Sequence, residues 1–138
     1  MSTDLNIAKD RLAQKSLSLV IVNHGKVLSE TKSHGISDLL KAVNKLGDSM
    51  KGSSVADRTV GRAAALLFVF SGVRAVFAAL ASDGGFAVLA ENNVFCVYEK
   101  RVANVLNFEK TDVCPFEKLV ANLSDPEKAY GVLKEKCG

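Results

Sequence analysis

The run Ser53-Ser54-Val55-Ala56-Asp57-Arg58-Thr59-Val60-Gly61-Arg62-Ala63-Ala64-Ala65-Leu66-Leu67 joins a long apolar stretch to three charges, Asp57, Arg58 and Arg62. Continued through Leu66-Leu67-Phe68-Val69-Phe70, it predicts one helix over residues 55–70 that ends near Ser71-Gly72. A helix apolar on nearly every side belongs in a core. Ionisable groups gathered at its N-terminal end sit where that end opens into a cleft, so this segment is the candidate site.

Outward from it, the chain alternates helical and extended patterns. Leu5, Ile7, Ala8, Leu12 and Ala13 recur at near-helical spacing and predict a first helix over residues 4–14. Leu17 and Leu19 to Val22 form an apolar run, Asn23-His24-Gly25-Lys26 is a turn signal, and Val27-Leu28 opens a second strand, which together predict an antiparallel hairpin. A second amphipathic helix is expected over residues 36–46, with Ser37 as N-cap and Gly47 as C-cap, followed by a flexible polar stretch over 48–53. Beyond the central helix, residues 73–81 read as a buried strand, central in a sheet, with Arg74 at its start. Asp83-Gly84-Gly85 breaks it, 86–91 is a short helix, and 94–98 is a further strand, the pattern of a parallel crossover. Residues 102–108 predict an edge strand, Cys114-Pro115-Phe116-Glu117 opens a helix, and Asp125-Pro126-Glu127 starts the last one. The expected fold is α/β, a three-layer α/β/α sandwich with a mixed sheet, formed by residues 1–138 as one domain around one core.

Composition narrows the function. Eighteen Lys and Arg against fifteen Asp and Glu are scattered along the chain, without the concentrated basic stripe or interleaved aromatics of a nucleic-acid surface. Three widely spaced cysteines, Cys96, Cys114 and Cys137, fit neither a disulfide framework nor a four-ligand zinc pattern, which points to a reducing cytoplasm. The first fifteen residues lack the apolar stretch of a signal peptide, and the longest apolar run, 63–73, is well short of the ~20 residues that span a bilayer. No membrane association, metal or cofactor is expected.

The element order resembles the cytidine deaminase-like fold, with residues 36–46 as an added helix. More narrowly, the chain resembles a small, mainly prokaryotic family of unknown function placed on that fold. Residues 23–26, 54–67 and 114–118 carry the resemblance, most specifically Asp57-Arg58-Thr59-Val60-Gly61-Arg62-Ala63 and Cys114-Pro115-Phe116-Glu117. The resemblance implies self-association into dimers or larger oligomers. Working deaminases place a His or Cys two residues before a Glu at the start of the buried helix, and a Pro-Cys-x-x-Cys after the next strand, so that zinc can activate water. Here the helix offers Asp57 and Thr59, and the strand leads into Ser82-Asp83-Gly84-Gly85, so matching positions supply no zinc triad.

A different polar set remains. Asp57 either caps the helix or acts as a catalytic carboxylate. Arg58 and Arg62, four apart on one helical face, either hold one anionic group such as a phosphate or form surface salt bridges. Gly61 inside a helix costs ~1 kcal/mol relative to alanine, which calls for close packing or for a ligand near the backbone. Cys114 stands at a helix start, where amide dipoles favour a thiolate, or is an inert buried thiol. Glu117 accepts a proton or caps its own helix. His24 reads as a turn residue and His34 as a loop residue. The favoured function is a non-catalytic module that binds a small anionic ligand such as a nucleotide through Arg58, Gly61 and Arg62. The alternative is an enzyme acting on a nucleotide or related phosphorylated small molecule, with Arg58 and Arg62 holding the anion and Asp57, Cys114 and Glu117 catalytic, which requires those three to converge.

Overall fold

The computed structural model describes residues 3–32, 35–107 and 109–137; the loop position expected for His34, and Phe108 at the end of the expected edge strand, lie outside the described residues. Strands β1 (Leu19–Asn23), β2 (Lys26–Thr31), β3 (Ser54–Val60), β4 (Ala75–Ser82) and β5 (Phe95–Val102) form one mixed sheet in the order β2-β1-β3-β4-β5. The hairpin β1–β2 is antiparallel, β1 is antiparallel to β3, and β3, β4 and β5 run parallel. His24 and Gly25 both take positive φ in the hairpin turn, the conformation that a tight two-residue connection demands.

Helices cover both faces of the sheet. α1 (Thr3–Gln14) buries Leu5, Ala8 and Leu12 on one face, against Val20, Val22, Ala56 and Phe77. The other face carries α2 (Ile36–Leu46), α3 (Arg62–Ser71) and α4 (Asp83–Glu91), with α5 (Pro115–Val120) and α6 (Pro126–Cys137) packed on the outer side of α3. α3 is thus buried over most of its surface. Ala63, Ala65, Leu66, Leu67 and Phe68 are fully buried, and the three large ones contribute roughly 1.5–3 kcal/mol each. On the outside, Phe70 stacks on Tyr130 of α6 with ring centroids 4.2 Å apart. The crossovers β3-α3-β4 and β4-α4-β5 lay their helices side by side on one face, as consecutive crossovers of one hand must.

The chief departure from expectation lies in the opening stretch. Residues 54–60 are not the first turns of a helix but β3, the central strand, and the helix begins only at Arg62. Gly61 is therefore not a helical glycine; it is the N-cap of α3, with extended backbone. Asp57 does not lie at a helix N-terminus, and Arg58 and Arg62 do not share a helical face. β4 is consequently interior but not central, flanked by β3 and β5. Smaller corrections follow the same backbone logic. Gly35, not Ser37, occupies the N-cap of α2; residues 48–50 belong to a 3-10 turn, Gly47–Met50; and Asp83-Gly84-Gly85 is the first turn of α4, capped by Ser82 Oγ accepting from Gly85 N at 2.9 Å. The expected edge strand over 102–108 gives way after Val102 to a loop whose only ladder contact among the described residues is the bridge Leu106–Val113.

α3 and α5 are clasped to each other. The Glu117 carboxylate, on α5, accepts from the first two amides of α3, Arg62 N at 2.7 Å and Ala63 N at 2.8 Å. In return the Arg62 guanidinium donates to carbonyls at the C-terminal end of α5, from Nε to Val120 O at 3.0 Å and to Leu123 O, which Nη2 also reaches. Each helix end thus receives the charge its dipole favours. Glu117 caps α3 rather than its own helix.

Four substitutions test this packing. A Cβ on Gly61 would lie 2.2 Å from Glu117 Oε1, so Gly61→Ala is expected to dislodge the cap. Glu117→Ala should cost ~2–3 kcal/mol in urea unfolding. The double variant should cost less than the sum of the two single ones, keeping only the clash of the new Cβ with Val105 Cγ2 at 2.8 Å, and simple additivity would disprove the shared mechanism. A Cβ on Gly85 would meet the backbone of Val60 and Gly61 at 2.7–2.9 Å, whereas nothing lies within 4 Å of one on Gly131 in α6. Gly85→Ala is therefore expected to destabilise by ~1–3 kcal/mol and Gly131→Ala to stabilise by ~1 kcal/mol.

Candidate functional site

At one end of the sheet, the start of β1, the ends of β2 and β3, the first turn of α2, the start of α3 and the loop leading into α5 enclose a cleft of about 810 Å³. Its walls are mostly apolar, with Leu19, Ile36, Leu39, Val105 and Phe116 among them. Asp57, Arg58, Gly61, Cys114 and Glu117 all line it, so the three candidate catalytic residues do converge. Arg62 is not among the lining residues; its guanidinium is committed to the end of α5.

Asp57 owes its position to an irregularity in β3. Val55 and Val60 both face the α3 side, although strict alternation would put them on opposite faces. The ladder to β4 skips Arg58, and Asp57 Oδ1 accepts from Thr59 N at 3.3 Å across that point. Asp57 is left half-buried on the α3 side, opposite Leu19 of β1. Loss of hydration raises its carboxyl pKa from 3.8 to about 7, against the smaller opposing effect of backbone amides at Thr59 and Arg58.

The neighbouring groups are more constrained. Arg58 N and Nε donate to Ser18 O at 3.0 Å and Leu17 O at 2.6 Å, which binds β3 to the segment before β1, and among the described residues Arg58 forms no ion pair. Cys114 is the N-cap of α5, as expected; its N–H donates to Val105 O at 2.9 Å, and its carbonyl accepts from Glu117 N and Lys118 N. Glu117 touches the cleft but has both oxygens engaged by α3, so the helix N-terminus that could hold a ligand's anion already holds a carboxylate. Lys110, Asp38 and Asn107, at the mouth, were not singled out by the sequence. Their signal is weak there, since polar residues in loops are ordinary. Among the described residues no three His, Cys, Asp or Glu side chains are grouped to hold a metal ion. A second pocket of about 310 Å³ lies by Phe70 and Tyr130, and its charges, Asp48 and Lys51, pair with each other at 3.5 Å.

Among the described residues, no helix is long and apolar enough to cross a membrane. The fold is similar to two solved structures from Thermotoga maritima. A DUF1893 family protein superposes with a TM-score of 0.88 at 28% identity, over 99% of this chain and 92% of that one. A diaminohydroxyphosphoribosylaminopyrimidine deaminase/5-amino-6-(5-phosphoribosylamino)uracil reductase superposes with a TM-score of 0.51 at 14% identity, over 70% of this chain and 35% of that one, which shows a deaminase-like fold and nothing finer. No curated protein matches the chain. The family model for a domain of unknown function, DUF1893, matches residues 7–137, and the chain belongs to that family.

Proposed function

We propose that the protein is a ligand-binding module whose cleft takes a small, flat, anionic molecule of nucleotide type. The observation that carries this reading is a half-buried carboxyl, Asp57, set among apolar walls in a cleft of about 810 Å³, ample for such a ligand. The apolar walls suit a heterocycle, and the Asp57 carboxyl suits its ring N–H and amino groups. Arg58 and Lys110, both at the cleft and neither in an ion pair among the described residues, supply positive charge for the anionic end. Arg62 and the α3 amides do not serve this role, because the α3–α5 clasp uses them. The structural neighbour named for a phosphoribosylated pyrimidine adds that compound class to the ligands worth trying.

A second reading has one specific observation in its favour. A carboxyl with a pKa near 7 is poised for proton transfer, and it shares its cleft with the thiol of Cys114. On that reading Asp57 moves a proton and Cys114 is the nucleophile, and turnover assays on any ligand found would separate enzyme from module.

Thermal shift against nucleosides, nucleotides, sugar phosphates and phosphoribosylated pyrimidines tests both readings. A ligand at about 100 times its dissociation constant adds ~2.7 kcal/mol, a rise of several degrees in Tm. Nucleotides are expected to exceed their nucleosides, with Arg58→Ala removing the excess and Asp57→Ala the whole response. No response to any of these compounds would overturn the proposal.

Asp57 also sets a pH dependence. The unfolded chain releases this proton near pH 3.8 and the native protein near 7, so the native state binds more protons across that window and stability falls as pH rises through it. Asp57→Asn removes the fall. Its Tm should match wild type near pH 4 and exceed it by roughly 5 °C at pH 8, as read by calorimetry. Equal Tm values at pH 8 would mean that the carboxylate is well solvated.

A further inference from the structure

We propose that β5 is a self-pairing edge, through which two copies of the chain join antiparallel about a two-fold axis into one continuous sheet. The two edges of the sheet differ in the way that matters for such pairing. β2, on one side, is six residues long, is offset by a bulge at Ile21/Val22, and has its Glu30 bound to Arg11 of α1 at 2.6 Å. Bulges and short length are devices that blunt an edge, as are edge charges, which β5 confines to its second half. β5, on the other side, runs eight residues, holds one register with β4 from Phe95 to Val102, and contains no proline. It leaves Phe95 53% and Tyr98 40% exposed, two of the five exposed large apolar side chains among the described residues.

Charge patterning selects the partner as a second copy and, with the length of strand paired, sets the register. The strand has an apolar half, Phe95-Cys96-Val97-Tyr98, and a charged half, Glu99-Lys100-Arg101. Antiparallel self-pairing lays one half along the other. A two-fold axis normal to the sheet requires some residue to pair with its own copy. With Tyr98 on the axis, Glu99, Lys100 and Arg101 fall opposite Val97, Cys96 and Phe95 of the second copy, and no charge opposes its like. With Glu99 or Lys100 on the axis, identical charges face each other, which is unfavourable. The Tyr98 register also uses nearly the whole strand. Arg101 pairs with Asp83 of α4 at 2.9 Å and lies over the rings of Phe86 at 4.4 Å and Tyr98 at 5.5 Å, so its guanidinium is held at this edge and faces a further ring, Phe95, in the pair.

The test is sedimentation equilibrium from roughly 2 µM to roughly 200 µM, a range that covers micromolar association. Wild type is expected to reach twice the 14.7 kDa chain mass within that range. Tyr98→Lys places two lysines on the axis and should raise the dissociation constant at least ~10-fold. Because Tyr98 also packs edge-on against Phe86 at 5.5 Å, Phe95→Lys is the companion variant, at a more exposed site. Hydrogen exchange supplies the location, since amides of residues 95–101 should gain protection as concentration rises. A monomer throughout the range, a dimer indifferent to both variants, or a dimer whose β5 amides exchange as in the monomer would each overturn the proposal.

Discussion

The clasp between Glu117 and the first amides of α3 is the constraint on which the arrangement of the cleft depends. The N-terminus of α3 lies at the edge of an apolar cleft, where unpaired amides would be costly. Glu117 answers them with two charge-assisted bonds, and Arg62 answers the carbonyls at the end of α5 in the opposite direction. Together these contacts hold two helices, 55 positions apart in the chain at Arg62 and Glu117, in one relative position. Because Cys114 and Phe116 neighbour Glu117 in sequence, the clasp also places one wall of the cleft against the end of β3.

The same contact redistributes the chemistry. A helix N-terminus at the end of a parallel strand is a natural seat for an anion. Here that seat is filled from within, and Gly61 is the residue that lets the carboxylate in, since any side chain at that position would occupy the space of Glu117 Oε1. The requirement for glycine comes from this approach and not from a left-handed backbone, because Gly61 is extended. Positive charge for a ligand must then come from elsewhere, which leaves Arg58 on β3 and Lys110 at the mouth.

Much of the architecture was legible in local pattern. The hairpin followed from an apolar run and Asn23-His24-Gly25-Lys26, α2 from its apolar spacing, and α6 from Asp125-Pro126, because each of these signals is carried by adjacent residues. The error at residues 54–60 has an equally local cause. Ala56 and the alanines after Gly61 extend the helical signal backwards, while Val55, Thr59 and Val60, β-branched residues suited to a strand, were outweighed. Gly61 was the available punctuation between strand and helix. What no local pattern contains is the partner of a helix end. That Glu117 would serve α3, and Arg62 the end of α5, is tertiary information. The convergence of Asp57 with Cys114 follows from the same fold and was likewise open in the sequence.

The misread strand also explains why three charges sit in so apolar a segment. On one helical face Arg58 and Arg62 would have formed a pair, and Asp57 would have been a cap. On a strand followed by a helix they separate into three duties. Arg58 lies at the edge of the cleft with its Nε on the Leu17 carbonyl, Arg62 turns outward to α5, and Asp57 faces the cleft with no side-chain partner among the described residues. Both arginines donate to backbone carbonyls, and of the two only Arg58 also lines the cleft. Burial keeps the proton on Asp57 to near neutrality, and among the described residues only backbone amides, with no ion pair, act against it. A side chain whose charge the fold does not compensate is the one most open to compensation by a ligand, and that places the functional weight of the segment on Asp57, with Arg58 beside it, rather than on Arg58 and Arg62 as a pair.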